Sequence, residues 1–327
     1  MRILYIGNTS TYACYKKGLN PSHWLYGAVE MEKDGHEVVW EEERSKWNND
    51  WKLLRKYRPD RVFIPNLNLH AHIVLLLLKA VGLCRIPVYA YLHHEPKVKE
   101  GWKRWIYAML LSGCDHLFFL SERTRRHTVE AGLVTTDRSS VPGWGADESF
   151  FAGIAVRDGG CFVSTGKENR DFDILIDAFR RTGAPLKIIT SRGHAGTDYA
   201  DLPTQCAAVK NIEVVLTENS GEVYPLMLKA MAEAKALVCP LRKDKLNYCV
   251  GLSTITDAEG LGKPLIITRN PYHEPKRMKP FCQVDTVEDW CEAIRKLQED
   301  SSPTTPRLAY SMQRAYARMK EKMSLNE

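Results

Sequence analysis

The chain has 327 residues, 44% hydrophobic and 26% charged, an ordinary globular composition with room for two cores of about 150 residues each. Its 46 Lys and Arg against 40 Asp and Glu leave a net charge of +6. That suits an anionic substrate or an anionic membrane surface but is too weak for a nucleic-acid binder, and no zinc-finger or RNA-binding aromatic signature accompanies it.

Along the first half, periodicity predicts strands at Ile3–Ile6, Glu37–Trp40, Arg61–Ile64, Pro87–Leu92 and His116–Leu120. Helices are predicted between them at Ser22–Asp34 (Ser22 as N-cap, Gly35 as stop), Asn49–Lys56, His70–Val81, Trp102–Leu111 and Ser121–Ala131. Strands alternating with helices of this length imply parallel sheets built from right-handed crossovers. Pro142–Gly160, rich in Gly and weak in periodicity, is the predicted boundary. The pattern then restarts, with strands at Cys161–Thr165, Leu186–Thr190, Ile212–Leu216, Ala236–Cys239 and Leu265–Thr268. Helices are expected at Asp171–Arg181, Glu222–Glu233 and Leu252–Leu261, a strand remnant and amphipathic helix within Val284–Gln298, and a last helix at Arg307–Lys322. Leu308, Met312, Ala315 and Met319 are the narrow apolar stripe of that helix.

The expected fold is α/β, with a Rossmann-like unit over 1–152, a second over 153–302, and a C-terminal helix in 303–327 packing back on the first. Two doubly wound units facing each other leave a cleft at the carboxyl ends of both sheets, where open α/β folds bind ligands. Glycosyltransferases, sugar-nucleotide epimerases and periplasmic-type binding proteins all satisfy that pattern, so it does not give function. Nine cysteines stand singly with no Cys-x-x-Cys, as small buried hydrophobes do in a reducing compartment. The N-terminus reads as a strand and not a signal peptide, and the longest apolar run, Ile73–Leu83, is too short to span a bilayer. A cytoplasmic, non-spanning protein is expected.

Six segments recur in an informative order: Met1-Arg-Ile-Leu-Tyr-Ile-Gly7 with Gly35-His36-Glu-Val-Val, Arg58-Pro59-Asp60, Cys114-Asp115 through Ser121, Val141-Pro-Gly-Trp-Gly145-Ala-Asp147, Phe162-Val-Ser-Thr-Gly166-Lys167, and Asn247 through Thr268. Together they resemble GT-B glycosyltransferases, above all the retaining enzymes of glycosyltransferase family 4, over nearly the whole chain. Gly166 closes a strand and the following helix offers its N-terminus to an anion. In the family an arginine and, a few residues later, a lysine hold the donor diphosphate. Lys167 stands at the first position and Phe172 at the second, so Arg170 is taken as the second cation. The family also carries two glutamates, one for the donor sugar and one for the ribose. Anchored on Gly262-Lys-Pro264, Cys249 falls at the first and Asp257 at the second. A thiol does not accept like a carboxylate. The turn Tyr248, Cys249, Val250, Gly251, Leu252 would therefore hold the sugar and phosphate by backbone N–H groups, helped by Ser253 or Thr254. Glu259 is a rival carboxylate on a different helix face.

On the acceptor side, His93 and His94 follow a buried strand, where imidazoles orient a hydroxyl or neutralise a leaving group, and Glu95 could orient either. The loop Gly7–Ser22, with Gly7, Tyr12, Lys16 and Gly18, stands where the family has its acceptor loop. Adjacent histidines rarely share one ion and no Asp-x-Asp stands nearby, so neither metal nor cofactor is expected. Lys97 to Tyr107 interleaves bases with aromatics, as an interfacial segment does; an ordinary helix start with Trp105 and Tyr107 packed inside is the alternative. Arg123 to His127 reads as a solvated helix face.

The resemblance implies a metal-independent transferase. It would move a sugar from a nucleoside diphosphate sugar to a saccharide or lipid-linked acceptor, with retention, in surface polysaccharide or glycoconjugate synthesis. It would work in the cytoplasm or at the inner membrane face, in peripheral contact with anionic lipid and without nucleic acid. Cys249 keeps open a degenerate GT-B binding or scaffold subunit, and the shared fold keeps open a sugar-nucleotide epimerase.

Overall fold

The computed structural model describes residues 1–43, 49–96, 101–194, 197–218, 221–299 and 308–325. The first half forms β1 (Arg2–Ile6), β2 (Glu37–Glu41), β3 (Arg61–Ile64), β4 (Val88–Leu92), β5 (His116–Phe119) and β6 (Ser139–Ser140). All pair in parallel, in the order β2-β1-β3-β4-β5-β6. β4 and β5 are buried throughout, which is why they read as unbroken apolar runs and not as alternation. The core of this unit joins Leu4, Ile6, Val62, Ile64, Ala90 and Phe119 to helix residues Leu75, Leu76, Leu110 and Leu111.

The second half forms β7 (Phe162–Thr165), β8 (Leu186–Ser191), β9 (Gly193–His194), β10 (Thr197–Asp198), β11 (Ile212–Thr217), β12 (Ala236–Cys239), β13 (Leu265–Thr268) and β14 (Cys282–Val284). β9 and β10 are a separate antiparallel pair; the others form a parallel sheet in the order β11-β8-β7-β12-β13-β14. Counted within this sheet the order is that of a dinucleotide-binding fold, and it reverses between β7 and β12.

The chain divides into two units. One holds Met1–Lys17, Ser22–Gly145 and the described residues from Ser311 on; the other holds Gly18–Pro21 and Ala146–Tyr310. Ala146 to Ala152 thus groups with the second unit, where Phe151 lies so close to Gly260 that a Cβ there would stand 2.4 Å from the ring.

Several predicted elements differ. The single helix Ser22–Asp34 is a 3-10 turn at Ser22–Leu25 and an α-helix at Ala28–Lys33, broken by Tyr26 (φ 49) and Gly27 (φ 91). A Cβ on Gly27 would lie 3.3 Å from the Tyr316 ring, so the backbone bends where the last helix presses on it. Ser22 is not an N-cap; its Oγ donates to Glu30 Oε1. The loop Gly7–Ser22 contains a helix, Thr9–Lys16, which buries none of its residues and so carries no apolar period. The helix expected at His70–Val81 spans Ile73–Ala80, because His72 is held outside it by Asp50. The last helix is Met312–Lys322, capped by Ser311, while Arg307 lies outside the described residues. Met312, Ala315 and Met319 are buried as its stripe requires, Leu308 precedes it, and Tyr316 donates to Asp34 at 2.9 Å. β6, β9 and β10 are too short and polar to show in a pattern of alternation.

Candidate functional site

At the end of β7 the chain turns through Gly166 at φ +94, where a Cβ would stand 2.6 Å from Arg170 Nη2; only glycine fits. Arg170 folds back under this turn. Its Nε and Nη2 donate to the Thr165 carbonyl at 3.3 and 3.2 Å, Nη1 to the Glu168 carbonyl at 2.9 Å, and Nη2 to Thr254 Oγ1 at 3.2 Å. The backbone is tied to the chain leaving β12 as well: Arg242 N–H donates to Asn169 O at 2.9 Å and Asp171 N–H to Pro240 O at 3.2 Å. Arg170 is 4% exposed, and among the described residues it makes no ion pair. A desolvated guanidinium facing only neutral acceptors is stabilised by any anion brought near it. Lys167 beside it has its pKa lowered by burial, against the pull of Glu168.

Across the switch point, Gly251 (φ +89) starts the helix Leu252–Leu261. A Cβ there would lie 3.3 Å from Cys239, Leu241 and Ile267, so the turn is pressed onto β12 and β13. Ser253 alone in that helix is exposed, which is why it shows no amphipathic stripe. First-turn N–H groups lack i−4 partners and can face an anion. Here, though, the Val250 N–H donates to Tyr248 O at 2.9 Å and the Leu252 N–H to Cys249 O at 3.2 Å, so neither is open as the sequence reading expected. The turn is braced from behind by the loop after β13. Asn270 Nδ2 donates to the carbonyls of Tyr248 (3.0 Å) and Val250 (3.3 Å), and His273 Nε2 donates to Val250 O at 2.8 Å. Burial holds His273 near pKa 4, so it is neutral with its proton on Nε2, and its buried Nδ1 has no partner.

The structure thus brings Gly166, Lys167, Arg170, Tyr248, Cys249, Val250, Gly251, Leu252 and Ser253 together at one end of the second sheet. A cavity of about 350 Å³ touches only Arg170 of these; Arg242, Tyr199 and the carboxylates Asp171, Asp173, Asp198, Asp201 and Asp244 are among those that line the rest of it. Cys249 is buried, and burial pushes its thiol up to about 12, so it offers no charge. Burial also raises the Tyr248 pKa, as does its hydrogen bond to Glu168. Asp257 sits more than a helical turn beyond Leu252. Its buried carboxyl accepts from Tyr224 Oη at 2.7 Å, and burial lifts it to about 7. Glu259 is committed elsewhere: Arg277 Nε donates to it at 2.9 Å, Arg277 Nη2 also reaches Thr256 Oγ1, and the guanidinium lies 4.7 Å from the Tyr310 ring centre.

In the first unit, β1 ends at Gly7 (φ +128), where a Cβ would stand 3.2 Å from Pro65. Tyr12 stacks on Trp40 with centroids 3.9 Å apart and donates to Glu32 at 3.1 Å, and Lys16 lies 5.8 Å from the Tyr12 ring. Gly18 (φ +72) falls in the segment that groups with the second unit. His93 Nε2 donates to the Pro65 carbonyl at 2.9 Å; burial takes its pKa down to about 4, so it is neutral. His94 is exposed, and Glu95 pairs with His127 Nδ1 at 2.6 Å, so the three neighbours do not converge.

Sequence reasoning passed over His72, Asn270 and His273. His72 is buried between Asp50 (2.9 Å) and Glu43 (3.4 Å). Burial alone would push its pKa down, but the two carboxylates outweigh it and raise it to about 9. The Asn-Pro turn directly after the apolar run of β13 was the available signal for Asn270 and His273. Among the described residues no group of three His, Cys, Asp or Glu side chains is arranged to hold a metal.

No family model and no curated protein matches the chain. Solved structures do. A UDP-GlcNAc 2-epimerase from Neisseria meningitidis bound to UDP-GlcNAc is similar over 100% of both chains, with TM-score 0.61 and 12% identity. AviGT4, a glycosyltransferase involved in avilamycin A biosynthesis, is similar over 99% of this chain and 98% of its own, with TM-score 0.62 and 11% identity. S. aureus MnaA with UDP gives TM-score 0.60 and 12% identity over 99% and 96%. At such identities the likeness is one of fold: two parallel six-stranded sheets with helices in the GT-B arrangement.

Proposed function

We propose that this protein is a GT-B glycosyltransferase of the retaining family 4 type. It would take a sugar from a nucleoside diphosphate sugar and give it to a saccharide or lipid-linked acceptor. The observation that carries this reading is the β7/β12 switch point, where the buried Arg170, Lys167 and the first turn of Leu252–Leu261 meet at glycine turns. Cations and N–H groups fixed before the ligand arrives are what a leaving diphosphate requires. The donor is assigned to the second unit, with Asp257 on the ribose, oriented by Tyr224. The acceptor is assigned to the first unit, with His93 or His94 on the reacting sugar. The acceptor oxygen bonds to the sugar as the bond to the diphosphate breaks, and the departing phosphate oxygen takes the hydroxyl proton. No metal enters this scheme. Nine unpaired cysteines support a reducing, cytoplasmic setting.

The second reading, an epimerase, draws on the structural likeness to the Neisseria meningitidis enzyme. That chemistry needs acids and bases around the sugar, and the buried carboxylate Glu259 is engaged by Arg277. A scaffold subunit is the third, resting on Cys249.

A thermal-shift series with UDP, GDP, ADP, TDP and their sugar conjugates tests the donor site. A ligand at about 100 times its dissociation constant should stabilise the protein by roughly 2.7 kcal/mol. The expected result is a shift with one diphosphate that Lys167→Ala abolishes. Transfer to an added glycan acceptor then supports the transferase, whereas a new epimer formed without acceptor overturns it. No shift with any nucleotide removes the donor site itself.

A further inference from the structure

The loop after β13 turns two buried polar side chains, Asn270 and His273, onto one atom of the chain before it. The loop first closes on itself: Asn270 Oδ1 accepts from the Tyr272 N–H at 3.0 Å, and the Asn270 carbonyl from the His273 N–H at 3.1 Å. So shaped, it brings Asn270 Nδ2 and His273 Nε2 to the Val250 carbonyl at 3.3 and 2.8 Å. Burying two polar groups to hold a single carbonyl costs desolvation, and the return is a fixed direction for that carbonyl.

A peptide unit is planar and trans, so its C=O and N–H point opposite ways. With the Val250 carbonyl held toward the loop after β13, the Gly251 N–H is turned away from it. The turn follows β12, which lies between β13 and β7. Away from the β13 side is therefore toward Gly166 and Arg170, and Thr254 of the following helix already meets Arg170 at 3.2 Å. Gly251 is buried, and among the described residues its N–H donates to no acceptor, whereas those of Val250 and Leu252 are spent within the turn. A buried N–H without an acceptor is rare and costly, and an anionic oxygen would remove the cost. Gly251 itself does not fix this orientation. Its φ is +89, but glycine accepts either sign, so the Val250–Gly251 peptide could flip and present a carbonyl in place of the N–H. The two side-chain donors oppose that flip.

We propose that Asn270 and His273 are positioning residues that lock the Val250–Gly251 peptide with the Gly251 N–H, and not the Val250 carbonyl, facing the donor diphosphate. This rests on the donor site assigned above to the second unit. Calorimetric titration of the full chain with UDP, GDP, ADP and TDP tests it. The diphosphate that binds wild type should bind Asn270→Asp and His273→Phe about tenfold more weakly, since neither variant can donate to the Val250 carbonyl. His273→Gln keeps an N–H donor and should stay within about threefold of wild type. With glycine labelled with 15N, the Gly251 amide resonance should move on adding that diphosphate to wild type and to His273→Gln, but not to His273→Phe. The two His273 variants keep the test open if Asn270→Asp does not fold. Wild-type affinity in Asn270→Asp and His273→Phe, while Lys167→Ala still abolishes binding, overturns the lock and leaves the donor site standing. Equal loss in His273→Gln and His273→Phe assigns the effect to packing of the ring and overturns it too. Wild type that binds none of the four removes the donor site, and the lock with it.

Discussion

In the second unit the chain leaves β7 through Gly166 and is tied down at once. Arg170 bonds back to Thr165, Glu168 and Thr254, and Asn270 and His273 hold the next turn from behind. In the first unit the chain leaves β1 through Gly7 into Thr9–Lys16, a helix with no buried residue, beside the exposed-to-half-buried carboxylates Glu42 and Glu43. Both sheets are parallel and wound from the same parts. One carboxyl end is fixed by buried hydrogen bonds around Arg170; the other carries more side chains that solvent can reach. Buried polar groups hold one geometry because any other leaves them unpaired, whereas exposed ones can trade partners for water. A fixed end suits a ligand that never varies, such as a diphosphate, and an open one suits a partner that does.

The most severe way to break this contrast is at Arg277. Arg277→Ala leaves Glu259 buried without its cation and should cost about 3–5 kcal/mol by chemical denaturation. Arg277→Met with Glu259→Met should recover most of that loss. If the single variant costs under about 1 kcal/mol, the helix Leu252–Leu261 is not held by this pair.

Two pH windows sharpen the contrast, about 4 kcal/mol for Asp257 and about 3 kcal/mol for His72. Asp257 has a folded pKa of about 7, above its usual 3.8, so the folded state holds a proton that the unfolded chain releases between those values. Stability should therefore fall as pH rises from about 4 to 7 and then level, and Asp257→Asn should flatten that range. His72 has a folded pKa of about 9 against 6.5. Its contribution is complete below about 6.5 and lost as pH rises through 9, a fall that His72→Gln should remove. Melting temperatures across pH for the two variants assign one window to each unit; identical profiles for both would dissolve the distinction.

The smallest effect belongs to the open end. Tyr12 is surface-bound on Trp40, so Tyr12→Ala should cost no more than about 1 kcal/mol by denaturant titration. A larger loss would mean that Thr9–Lys16 is as firmly anchored as the Gly166 turn.

Much of the fold was legible in local pattern. Arg61–Ile64, Ala236–Cys239, Leu252–Leu261 and Leu265–Thr268 form over the predicted residues, since buried strands and a glycine-bounded helix each leave a local signal. The break at Tyr26 and Gly27 was not legible, because its cause, Tyr316, lies nearly the whole chain away. The site divided in the same way. Gly166 and Gly251 could be named from turn chemistry, but nothing local shows that Arg170 folds back on its own loop. Nor does it show that Asp257 answers to Tyr224, or that Glu259 answers to Arg277.

Composition, alternation and glycine placement by themselves determined that this is an α/β protein of two wound sheets, with a glycine turn after β7. Those properties depend on neighbours a few residues apart. The charge state of Asp257 and His72, the neutrality of His93 and the exposure of Trp102 and Trp105 were decided only by tertiary structure. Desolvation and hydrogen-bond partners set all four, and both come from parts of the chain that meet only when it folds.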